Sequence, residues 1–220
     1  SGVQPWDAHT AEERRLFVRL QCAYAAMLDH ADQQIARLVD FLERTGARAT
    51  WRPILVGGVF NAVNPAVYAA REQTDNRRMD HSWKVLKDWA RLAGVPMNFP
   101  SRWHPAKSIH AMRFCCAIEE DQDALVRFAG AAFASYFDRQ ENLDDPDVLE
   151  AVAKGVGLDG AAIRAASTGD AVKARLRANT EEVIARGGYG SPTIFVEDTD
   201  MYFGNDQLPL VEAALKRTAE

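Results

Sequence analysis

Cysteine is scarce in this chain and poorly placed for cysteine chemistry. The three cysteines, Cys22, Cys115 and Cys116, form no C-x-x-C pair and no metal-type spacing, and an odd count argues against a secreted disulfide framework. That pattern fits a reducing, cytoplasmic setting. The five histidines, His9, His30, His81, His104 and His110, make no H-E-x-x-H or comparable ligand group, so a metal site has no support. Positive charge is not in excess: 26 Lys and Arg against 31 Asp and Glu give a net charge of −5. Extended nucleic-acid binding therefore lacks an electrostatic basis, and a small molecule or a protein is the expected partner. No apolar run approaches the roughly 20 residues that cross a bilayer, so no membrane partner is expected. The opening Ser1-Gly2-Val3 has no initiator Met and reads as an expression scar or processed end, without a targeting signal. There is no internal repeat and no low-complexity tract.

What is present is core-forming material. With 220 residues and 47% hydrophobic composition, the chain can bury one substantial core, or one core carrying an inserted subdomain. From residue 11 to residue 44, Phe17, Leu20, Tyr24, Met27, Ala31, Ile35, Leu38 and Leu42 recur at spacings of three and four, without Pro or Gly. This predicts one or two amphipathic helices. Thr10 with Glu13 has capping-box spacing at one end, and Gly46 suits the other. The run Ala49-Thr50-Trp51-Arg52-Pro53-Ile54-Leu55-Val56 is rich in strand formers and closes on Gly57-Gly58, which predicts a strand turning into a loop.

Helical periodicity then returns. Leu86, Trp89, Ala90 and Ala93 share one face within residues 80–93, ahead of the Gly94-Val95-Pro96 stop. Residues 108–119, 122–138, 147–155, 160–166 and 170–186 all read as helices, separated by an Asp-Asp-Pro break and by glycines. Residues 192–196 and 201–204 read as two short strands joined as a hairpin by an acidic turn, and a last helix follows over 207–217. Three segments result: an atypical helical stretch over 1–46, a helical subdomain over 75–165, and a sheet-bearing domain made of 47–74 and 166–220.

The sharpest local signal is Gly190-Ser191-Pro192-Thr193 entering an apolar strand, because an X-Pro bond at a strand mouth can be cis. Here Gly-Ser-Pro-Thr-Ile-Phe-Val, followed by Met-Tyr-Phe-Gly-Asn-Asp-Gln-Leu, resembles the closing segment of the 2-hydroxychromene-2-carboxylate isomerases and kappa-class glutathione transferases, relatives of the DsbA oxidoreductases. The similarity extends upstream through Trp51-Arg52-Pro53-Ile54-Leu55-Val56-Gly57-Gly58-Val59-Phe60, Asp88-Trp89-Ala90, Gly94-Val95-Pro96, Phe99-Pro100 and Ala111-Met112-Arg113. It implies an α/β, thioredoxin-like fold of the DsbA/kappa type, helix-rich, with a large helical insertion in the sheet domain. It also implies glutathione as cofactor. Pro192 would be the cis-proline, Ser191 would pair through its backbone with the cysteinyl part, Asn205 and Asp206 would hold the γ-glutamyl end, and Asn64 matches a family asparagine. The residue chemistry agrees in part, since Asn205 stands where a helix begins and Asp206 can accept from an ammonium. The implied substrate is a small aromatic compound, and family members are commonly homodimers.

One family feature is missing: the opening strand and the Ser-Pro-x-x-Tyr segment whose Ser activates the glutathione sulfur. A hydroxyl beside a thiol stabilises its thiolate, so this departure bears directly on activity. If residues 15–21 form the first strand, with Leu16, Val18 and Leu20 alternating, then Cys22-Ala23-Tyr24 stands in the place of Ser-Pro-Tyr and Cys22 becomes a DsbA-like nucleophile. Alternatively the helical spacing runs on through Cys22. Residues 12–42 also resemble an arylsulfatase helix, although no sulfatase metal ligands or Cys-x-Pro-x-Arg motif accompany it. Three functions therefore stand side by side. They are a glutathione-dependent isomerase or transferase, a non-catalytic glutathione-binding or interaction protein, and a thiol oxidoreductase using Cys22. Cys115 and Cys116 read as buried packing, and Trp51, Arg52, Trp83, Trp89 and Trp103 as core or surface without a chemical role.

Overall fold

The computed structural model describes residues 48–63, 77–92, 94, 96–204 and 207–218. Among these, the order is α1 (Val56–Val63), α2 (Arg77–Leu92), α3 (Ile109–Ala117), α4 (Gln122–Phe137), α5 (Pro146–Gly155), α6 (Gly160–Ser167), α7 (Asp170–Ala185), β1 (Thr193–Val196), β2 (Asp200–Phe203) and α8 (Leu208–Thr218). Every element expected from residue 80 onward is present, with ends displaced slightly. The helix expected over 11–44 lies outside the described residues. Two compact units divide the chain, one of Ala49–Thr193 and one of Ser1–Arg48 with Ile194–Glu220.

In the first unit the helix starts follow from three aspartates. The carboxylates of Asp121, Asp145 and Asp159 accept from the backbone N–H groups of Ala124 (2.9 Å), Asp147 (2.9 Å) and Ala162 (3.0 Å), which supplies partners that a helix start otherwise lacks. Pro146 occupies the first turn of α5, where its missing N–H is no loss. α4 packs on α5, α5 on α6, and α3 on α6 and α7. Phe114, Phe128 and Leu149 sit at the centre of this core, each at most 1% exposed. Close contact of α5 with α6 depends on Gly160, where a Cβ would stand 2.4 Å from the Glu150 carbonyl oxygen.

The strand expected over 49–56 is absent. Residues 49–55 are irregular and α1 begins at Val56. The reason is where the backbone groups go. Trp51 donates its N–H to Gln122 Oε1 (2.6 Å), and its carbonyl accepts from Gln122 Nε2 (3.2 Å). The Pro53 carbonyl accepts from Asn179 Nδ2 (3.1 Å), and the Leu55 N–H donates to Thr180 Oγ1 (3.0 Å). Side chains of α4 and α7 thus take the groups that a neighbouring strand would take, which satisfies the backbone without a ladder.

The second unit contains β1 and β2, hydrogen-bonded as a two-stranded sheet and joined by a turn with Glu197 at φ 55°. α8 packs on β2, and Val196, Val211 and Ala214 form a small core with Ile194, Tyr202 and Leu215 against it. Asp200 at the start of β2 accepts from the Tyr202 hydroxyl (2.7 Å) and from Arg217 Nη2 (3.3 Å) in the last turn of α8.

Candidate functional site

The chain reaches Ser191 through a glycine-built helix stop. Gly187 takes φ 90°, its N–H donates to the Ile184 carbonyl (3.0 Å), and the Gly188 N–H donates to Val183 (2.8 Å), the paired bonds of a Schellman motif. A Cβ on Gly188 would stand 2.5 Å from Val183 Cγ2, so the turn is tight enough to require glycine. Beyond it, Gly190 is buried, Thr193 Oγ1 donates to its carbonyl (2.8 Å), and the Ser191–Pro192 bond between them is cis. Ser191 and Pro192 are both exposed at the mouth of β1. These are the two described members of the expected site. Cys22, Asn64, Asn205 and Asp206 lie outside the described residues.

A second polar centre was not expected from the sequence. Glu119, at the end of α3, is 7% exposed and accepts from Asn179 Nδ2 at 3.0 Å on each carboxylate oxygen. Arg52 Nη2 donates to Asn179 Oδ1 (3.0 Å) and pairs with Glu182 (2.9 Å), while its Nε lies 3.6 Å from Glu119. Arg52 therefore has a definite role, tying the 51–55 segment to α3 and α7. The sequence signal was there: Asn179 and Thr180 interrupt the apolar row of Leu176 and Val183 on α7, and both are buried. A polar residue on an apolar face implies a buried partner.

Cys115 and Cys116 are free thiols, both buried. Burial and then the neighbouring Cys116 push the Cys115 thiol up to about 12. Burial and then the Glu119 charge push Cys116 to about 12 as well, against a smaller opposing pull from Arg175. Neither is a thiolate nucleophile at neutral pH. Cys116 borders a cleft of about 530 Å³ lined also by Ile118, Glu120, Asp121, Asp159 and Arg175. Neither Ser191 nor Pro192 lines it. Trp83 packs edge-on to Phe99 at 5.8 Å and Arg102 lies over Trp103 at 5.2 Å, both packing roles. Among the described residues there is no cluster suited to a metal ion and no helix long and apolar enough to cross a membrane.

The helix-rich order ending in a strand pair and a helix, with a cis-proline at the strand mouth, accords with a sequence profile. The DsbA-like thioredoxin domain matches residues 16–216, most of the chain. The chain belongs to the DsbA-like thioredoxin family. Within that family it is similar to the 2-hydroxychromene-2-carboxylate isomerase of Sphingobium xenophagum, 28% identical over 189 residues that span 81% of this chain and 88% of the relative. It is also similar to the enzyme of that name from Pseudomonas putida, 26% identical over 140 residues that span 64% of this chain and 66% of the other. A solved structure of 2-hydroxychromene-2-carboxylate isomerase superposes with a TM-score of 0.64 at 24% identity, covering 88% of this chain and 91% of that one. At that identity the superposition speaks for the fold, and it agrees with a helix-rich thioredoxin-like architecture carrying a small sheet.

Proposed function

We propose that this DsbA-like protein is a glutathione-dependent isomerase of the 2-hydroxychromene-2-carboxylate isomerase type, acting on a small aromatic substrate. The observation that carries the reading is the near-full-length similarity to one relative of that name, which spans 88% of the Sphingobium xenophagum enzyme. Glutathione, when bound, supplies a thiolate nucleophile to such a site. Ser191 and Pro192 fit a role in holding it, because they are exposed at the mouth of β1 beside a cis peptide bond. Asn64, Asn205 and Asp206 complete the proposed set, the last two for the γ-glutamyl end. Cys115 and Cys116 are excluded as a substitute nucleophile by thiols pushed up to about 12. Cys22 is the candidate that remains for a thiol-based role.

The absent Ser-Pro motif favours a second reading, a glutathione-binding protein without isomerase activity. Calorimetric titration with glutathione and an absorbance assay of hydroxychromene-carboxylate isomerisation separate the two. The isomerase reading expects binding that Asp206→Ala abolishes and Cys22→Ser preserves, together with turnover. Binding without turnover supports the second reading, and turnover of conjugation substrates alone points to a kappa-like transferase. A parent protein that binds no glutathione overturns both.

A further inference from the structure

Among the described residues, Nε of Arg113 is the one buried side-chain nitrogen or oxygen that has no hydrogen-bond partner. Arg113 stands in the middle of α3 and is half-buried. A guanidinium keeps its charge, so enclosing it without an anion is costly. Elsewhere the unit avoids that situation. Arg52 and Arg186 pair with Glu182, Arg164 with Asp147 and Glu150, and Arg175 with Glu120. Arg127 and Arg177 make no ion pair among the described residues, but both are exposed to water. No described carboxylate pairs with Arg113. Glu119, two residues past α3, is taken by Asn179 and Arg52, and Asp144 accepts from the Lys107 N–H (2.9 Å). A buried polar group left open in this way calls for an occupant.

We propose that Arg113 anchors a binding site for a small molecule bearing a carboxylate. This goes beyond the isomerase reading and does not depend on it. The open nitrogen selects the chemistry. Nε and the neighbouring Nη form the guanidinium edge that grips a carboxylate through two parallel N–H···O bonds. One guanidinium balances one negative charge, whereas a phosphate dianion would leave a surplus in a half-buried place. His110, three residues earlier and also half-buried, shares a face of α3 with Arg113, and its ring N–H can donate to the same anion. Side chains on a helix incline toward its N-terminus, and α3 begins after Ser108 (φ 53°) without a side-chain cap. Backbone donors and the positive end of the helix dipole therefore lie on the side toward which Arg113 inclines, and both favour a negative charge there.

Calorimetric titration of the full chain with benzoate, benzamide and inorganic phosphate at one ionic strength is the test. Benzoate binds one to one, and benzamide and phosphate bind more weakly by about tenfold or more. Arg113→Lys, which keeps the charge and loses the fork, weakens benzoate about tenfold, and Arg113→Gln weakens it further. Because either variant can disturb folding, phenylglyoxal modification of the wild type gives an independent readout: benzoate protects Arg113, located by peptide mass analysis, and benzamide does not. The source of the carboxylate is read from the same probe. Competition with glutathione assigns the site to a glutathione carboxylate, competitive slowing of isomerisation alone assigns it to the substrate, and neither effect assigns it to a separate small molecule; each outcome keeps the Arg113 site. The benzoate titration needs no turnover, so failure of the isomerase reading leaves it intact. A wild type that binds benzoate no better than benzamide, an Arg113→Gln protein that binds it as the wild type does, or an Arg113 equally reactive with and without benzoate overturns the proposal.

Discussion

The two units differ in how their cores are made. The first buries large side chains from several helices, with Phe128 and Leu149 fully enclosed, and its helix starts are secured by aspartate caps. The described core of the second is small, centred on Val196, Val211 and Ala214, beneath two four-residue strands and one helix. Buried apolar area scales with what holds a unit together, so the helical unit is a well-packed frame in which truncating one enclosed side chain costs most among the described residues. Ser191 and Pro192 follow the glycine stop after α7 and precede β1 in the chain. A glycine stop at the end of a rigid helix thus positions an exposed pair of residues whose own burial contributes little.

Breaking the frame is the largest effect expected. Phe128→Ala removes a fully buried ring and costs about 3–5 kcal/mol in urea unfolding, whereas Val211→Ala costs about 1–2 kcal/mol. Equal losses at the two sites would abolish the contrast. Next, Asn179→Leu leaves the buried Glu119 carboxylate without its amide donor and frees the Pro53 carbonyl, at about 1–3 kcal/mol. Its signature is local: amide exchange at Leu55 and Trp51 accelerates before exchange in α5. Gly160→Ala places a methyl against the Glu150 carbonyl and costs about 1–3 kcal/mol, while Gly155→Ala, with nothing within 4 Å, changes stability by a few tenths. A harmless Gly160→Ala would mean that α5 and α6 slide apart freely, against the close packing seen.

The helices from α2 onward and the hairpin were legible in the sequence because their signals are local, whereas α1 stands where a loop at Gly57-Gly58 was expected. An Asp before each of α4, α5 and α6, a glycine pair after α7 and three-to-four spacing between them need no knowledge of the rest of the chain. Residues 49–56 misled for the opposite reason. An apolar, β-branched run reads as a strand, yet its backbone partners are Gln122, Asn179 and Thr180, more than 70 positions away in sequence. Ser191 and Pro192 were legible from Gly-Ser-Pro-Thr and from the family resemblance. The Arg52, Glu119 and Asn179 centre was legible only at Asn179, a polar residue on an apolar helix face; Arg52 and Glu119 look like ordinary segment and helix surface until folding brings them together.

The smallest effect expected at neutral pH, and the finest test of the frame, lies in its two thiols. Both Cys115 and Cys116 keep their protons in the folded state up to about 12, against an ordinary value of 9.0. Below about 9 the thiols are protonated in the folded and unfolded chains alike, so they add no pH dependence there. Between about 9 and about 12 the unfolded chain releases protons that the folded chain retains, and stability falls as pH rises. A Cys115→Ala, Cys116→Ala double variant should therefore match the wild type in its stability profile at neutral pH, apart from a constant packing loss, and lose stability less steeply above pH 9. In the native wild type at neutral pH, a thiol reagent should leave both residues unmodified until denaturant is added. Rapid native modification of Cys116 would mean that the cleft beside it opens readily, and that the helical unit is a looser frame than its buried rings imply.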